Sequence, residues 1–137
     1  APEPSTFQWL LHAEHEFALG DNKASLKTGT GTVDIEFLAP GNLAFSQTNE
    51  FDTPPHEWAG FTLDEWHFTA ATQIPEAAVE FITVIRVDSV EATATLEKEE
   101  EGQMLSLAFP DRTAKIHLWK EKFQIQYDDL DLQFDDE

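Results

Sequence analysis

The chain has 137 residues, with 8 Lys or Arg against 27 Asp or Glu, a formal charge of −19, no cysteine, and 41% hydrophobic residues that include 11 Phe and 4 Trp. That length suits one domain burying roughly two-thirds of its unfolded surface, and so aromatic a composition is foreign to a disordered segment. The missing thiols exclude disulfides and thiolate chemistry, and the negative charge opposes nucleic acid and anionic bilayers, so neither is expected as a partner.

No apolar run approaches the length of about 18 residues that a membrane span needs. Ala1-Pro2-Glu3-Pro4 lacks the basic and apolar regions of a signal peptide, so we expect a soluble domain, already processed or cut from a longer chain. Apolar and polar residues alternate with period 2 throughout, and no window carries a capped 3.6-residue period, which predicts an all-β fold. Residues 7–12 read as the first strand and 17–27 as a hairpin turning at Gly20-Asp21-Asn22. Residues 32–38 set Val33, Ile35 and Phe37 on one face and Asp34 and Glu36 on the other; Pro40-Gly41-Asn42 breaks that strand before the next, 43–48.

Residues 51–60, with Pro54, Pro55 and Gly60, read as a long irregular loop. In residues 65–72, Trp66, Phe68 and Ala70 alternate against His67, Thr69 and Ala71. Residues 79–87 are nearly continuous in β-formers, the pattern of a central strand covered on both faces and the best core candidate. A hairpin follows, with Ala92, Ala94 and Leu96 against Leu105, Leu107 and Phe109 and a polar turn at Lys98-Glu99-Glu100-Glu101-Gly102. Ala114-Ile116-Leu118, Phe123-Ile125-Tyr127 and Leu130-Leu132-Phe134 mark three more strands. With no fixed repeat and no linker, the expectation is a single domain over residues 1–137, an antiparallel β-sandwich of roughly ten strands.

The five histidines do not make a metal motif: His12 and His15 stand three apart, which on a strand puts them on opposite faces, and His56, His67 and His117 are dispersed. The acidic end, with Asp128, Asp129, Asp131, Asp135, Asp136 and Glu137, has oxygens suited to calcium but no EF-hand-like loop, and reads as a solvated edge whose charges discourage strand pairing. No serine sits in a nucleophile elbow, and no glycine-rich phosphate loop exists. No metal and no cofactor is therefore expected.

Tryptophans carry the better clue, because sugar C–H faces pack on flat indole rings while polar neighbours bind the hydroxyls. Trp58, with His56 beside it, lies in the irregular loop, outside any periodic core face. Trp119 follows Lys115 and His117 on the face of its strand opposite Ala114, Ile116 and Leu118. These five residues, Trp58, Trp119, His117, Lys115 and His56, form the candidate ligand-binding set. The alternative is that Trp58 closes one end of the sandwich and that the last strands cover Trp119. Trp9 and Trp66 are assigned to the core.

Phe7-Gln8-Trp9-Leu10-Leu11-His12, followed by a short hairpin and Val33-Asp34-Ile35-Glu36-Phe37-Leu38-Ala39-Pro40, resembles the C-terminal β-sandwich region of heparinase II/III-like polysaccharide lyases. Trp66-His67-Phe68-Thr69-Ala70-Ala71-Thr72 and Phe81-Ile82-Thr83-Val84-Ile85 extend the likeness, which covers residues 7–87 and continues beyond them only as a strand pattern. Those lyases are secreted or periplasmic enzymes that cleave uronic-acid polysaccharides by β-elimination, with the active site between a helical toroid and the first sheet region. The resemblance therefore implies an extracellular or periplasmic setting. Neither the toroid nor the segment that supplies metal ligands and a catalytic histidine in some members has a counterpart here, and Tyr127, the only tyrosine, matches no catalytic motif. The expected role is a noncatalytic accessory module that binds polysaccharide, or a structural one that packs on a neighbouring catalytic domain; lyase activity of its own is the least favoured reading.

Overall fold

A computed structural model describes residues 3–51, 64–88, 90–119, 122–127 and 130–135. As the alternation demands, all the regular structure described is strand: twelve of them, in three antiparallel sheets. The chain divides into two compact units, Ala1–Ser89 and Val90–Glu137.

The first unit contains β1 (Gln8–Ala13), β2 (Phe17–Gly20), β3 (Lys23–Lys27), β4 (Thr32–Ala39), β5 (Leu43–Thr48), β6 (Trp66–Thr72) and β7 (Ile82–Val87). They form a three-stranded sheet, β1-β6-β5, and a four-stranded one, β2-β3-β4-β7. The β2–β3 hairpin turns through Asp21 and Asn22, with Asn22 at a φ of 52°, a left-handed conformation that asparagine adopts more readily than most residues, and its side-chain amide donates to the Gly41 carbonyl at 2.8 Å.

Both sheets contribute to one core, a β-sandwich interior of Phe17, Ala24, Ile35 and Phe37 from one layer and Leu43, Phe68 and Ala70 from the other. Phe68 is wholly buried, with Phe45 5.2 Å, Phe17 5.3 Å and Phe37 6.1 Å from its ring. Trp9 meets Phe37 edge-on at 5.1 Å, and Trp66 also packs on this cluster, so both fall where the sequence places them.

Residues 79–87 depart from expectation. The strand is shorter, Ile82–Val87, and it is not central: among the described strands β7 pairs with β4 alone, at the sheet edge. By register Ile85 and Val87 share the core face with Ile35 and Val33, yet each is 52% exposed. A run of β-formers reports how well residues suit a pleated surface, not how many neighbours the strand acquires; the start of β7 is covered, with Ile82 buried and Phe81 packed on the core, whereas its end at Ile85 and Val87 is not. On the other face of this sheet Glu36 accepts hydrogen bonds from Lys23 at 2.9 Å and Arg86 at 2.6 Å. Burial alone would raise the Glu36 pKa, but these two cations outweigh it and hold the carboxyl below its ordinary value.

The second unit is a meander of β8 (Thr93–Glu99), β9 (Gly102–Ala108), β10 (Thr113–Leu118), β11 (Lys122–Tyr127) and β12 (Leu130–Asp135) in that spatial order. Its register joins the apolar positions row by row: Leu96, Leu105, Ile116, Ile125 and Leu132 form one row, and Leu118, Phe123 and Phe134 another. The acidic last strand is a sheet edge, as its charges imply.

Candidate functional site

Because alternate residues face opposite sides, the apolar face of the second unit fixes what the other face carries. His117 stands beside Met104 on one flank and Gln124 on the other, while Lys115 stands between Ser106 and Gln126. One step beyond β10, the Trp119 amide donates to the Lys122 carbonyl at 2.9 Å, which continues the ladder and places Trp119 opposite Lys122. Three of the five candidate residues thus share one face. Trp58 and His56 lie outside the described residues.

The geometry of that face is compact. The His117 and Trp119 rings stack at 5.6 Å and 16°, the Lys122 ammonium lies 4.8 Å from the indole centroid, and His117 Nδ1 is 3.1 Å from Glu99 Oε2. Trp119 is half-buried and both lysines are exposed, so the indole is neither a free platform nor a core residue. Gly102, the first residue of β9, makes this possible: it has a φ of 155°, and a Cβ there would lie 2.2 Å from the Leu118 carbonyl oxygen and 3.3 Å from the indole. Only a glycine lets the chain pass this close.

Charge adds a signal that the composition hides. Four of the eight basic residues, Arg112, Lys115, Lys120 and Lys122, fall in residues 112–122 of a chain whose formal charge is −19. Arg112 covers the Phe109 and Tyr127 rings at 5.5 and 5.2 Å, whereas Lys115 and Lys122 lie on the Trp119 face.

The first unit holds a second concentration of functional groups, on the outer face of its three-stranded sheet. His12 and His67 are direct partners across β1 and β6, and their rings stack at 4.4 Å and 8°. Glu65, two residues before His67 and so on the same side, brings Oε2 to 3.8 Å from His12 Nδ1 and 3.9 Å from His67 Nε2. Phe51 abuts His67 edge-on at 4.7 Å, and a groove of about 480 Å³ opens here, lined also by Leu10, Ser46 and Thr48. Dispersed spacing hid the histidine pair, since 55 residues separate partners that only strand register can join. Glu65 and His67 at i and i+2 were the one local signal.

No family model, curated protein or solved structure matches the chain.

Proposed function

We propose that the chain is a noncatalytic carbohydrate-binding module of a polysaccharide-degrading enzyme, and that it takes an acidic glycan on the β10–β11 face. The observation that carries this reading is the grouping of Trp119, His117, Lys115 and Lys122 on one sheet face of an otherwise acidic chain. A pyranose packs its C–H face on the indole, and a uronate carboxylate draws Lys122 off the ring as its counter-ion. Lys115 and the glutamines of β11 are placed for further carboxylates and hydroxyls.

The formal charge of −19 does not exclude such a ligand. At physiological salt, fields fade over about 8 Å, so a ligand on this face responds to the charges of the face itself, Lys115 and Lys122 together with Glu97 and Glu99 beside His117, more than to the rest of the chain. The all-β architecture and the resemblance to the sandwich region of heparinase II/III-like lyases support the same reading, with an extracellular or periplasmic setting.

Affinity electrophoresis of the full chain in gels containing uronate polymers or neutral glycans tests it. The uronate gels should retard the chain, and Trp119→Ala should abolish retardation; equal retardation of that variant, or none in any gel, rejects the site. Trp58→Ala and His56→Ala test the loop in parallel. No unsaturated product absorbing in the ultraviolet is expected from any of these polymers.

A second reading, a structural module that packs on a catalytic domain, is favoured by the apolar edge of the second unit. There Phe123 and Phe134 stack at 4.7 Å and remain 41% and 45% exposed. It predicts that Phe123→Ser weakens association with that domain and leaves glycan retardation unchanged.

A further inference from the structure

We propose that His12, Glu65 and His67 form a binding site for a divalent transition metal of the zinc class. The inference rests on the first unit alone and is independent of the glycan reading. Two imidazole nitrogens and one carboxylate oxygen converge within 4.8 Å of one another, and two nitrogens with one oxygen is a donor set that suits zinc, nickel or copper rather than calcium or magnesium.

A separate observation points to a ligand. His67 Nε2 is buried and has no hydrogen-bond partner among the described residues, and Glu65 Oε2, 3.9 Å away, is too far for a bond. Burial of a polar nitrogen without a partner is unfavourable, and a metal between that nitrogen and the carboxylate would satisfy both.

Zinc bonds of about 2.1 Å in a tetrahedron set ligand atoms about 3.4 Å apart. Glu65 Oε2, at 3.8 and 3.9 Å from the two nitrogens, must therefore close in by about half an ångström. The histidines must do more. Parallel rings 4.4 Å apart hold their lone pairs in separate parallel planes, which one ion cannot share, so one imidazole has to turn toward the other. His12 is the one that turns: its side chain is 49% exposed on the edge strand β1, whereas His67 stands on the central strand β6 with its ring against Phe51. Metal binding then replaces the ring stack by a shared ion.

Isothermal titration of the full chain with Zn²⁺, in excess calcium to occupy the acidic surface, tests this. One ion should bind per chain. His12→Ala and Glu65→Gln, both at exposed or half-exposed positions, should each weaken binding by more than the about 10–100-fold that loss of even an outer-shell partner costs. His67→Ala should abolish it, with circular dichroism showing whether the fold survives. His15→Ala should change nothing. Absence of stoichiometric binding by the parent chain, or an affinity undiminished from the parent's in His12→Ala or Glu65→Gln, overturns the proposal.

Discussion

Gly102→Ala is the sharpest test of how the second unit is built. The new methyl would stand 2.2 Å from the Leu118 carbonyl oxygen, against about 3.3 Å for an ordinary carbon–oxygen contact. The methyl is fixed to the backbone and cannot rotate away, so the start of β9 and the end of β10 must part by about 1 Å. A φ of 155° adds strain of about 1–3 kcal/mol for any residue with a side chain. One ladder hydrogen bond lost or stretched at the Gln103–Leu118 end adds about 1 kcal/mol. The expected destabilisation is about 2–4 kcal/mol, measured by urea unfolding followed by far-ultraviolet circular dichroism. Gly29→Ala is the control: none of the described residues lies within 4 Å of a Cβ there, and stability should stay within about 0.5 kcal/mol. Since the same methyl would crowd Trp119, Gly102→Ala should also lose glycan retardation, although it removes no contacting group. A Gly102→Ala chain as stable as the control would refute the close approach that seats the indole.

Phe68→Ala should cost about 3–5 kcal/mol in the same assay, because the ring is wholly buried against Trp9, Phe17, Phe37 and Phe45 and its loss leaves a cavity among them; a loss below about 1 kcal/mol would contradict the shared core. Glu36→Gln should cost about 1–3 kcal/mol at neutral pH through two charge-assisted bonds. The folded pKa of Glu36 is lowered from 4.5, so its contribution is complete above that value and drains away as the pH falls through the lowered one. The parent and Glu36→Gln stability curves should thus converge in acid, and a constant gap down through that range would show that Glu36 is not the titrating group. Lys115→Gln should weaken glycan retardation and flatten its salt dependence, whereas equal salt slopes would place the anion contact elsewhere.

Local chemistry made much of this molecule legible. Alternation at Val33, Ile35 and Phe37, at Phe68 and Ala70, and along Ala114, Ile116 and Leu118 gave both the strand and its inner face, since the period of 2 is a property of one segment. Gly20-Asp21-Asn22 marked its turn for the same reason, and Lys115, His117 and Trp119 fell together because they ride on one strand. What the segments could not specify was their neighbours. Residues 79–87 read as a central strand, yet β7 is an edge, because strand position depends on which other segments find partners. His12 meets His67 only because β1 pairs with β6 in one register; a slip of one residue would set Trp66 or Phe68 opposite His12 and dissolve the site. The sequence by itself determined the strands and the two faces of each, whereas the tertiary structure alone decided the pairings, and with them which histidines, carboxylates and cations share a surface.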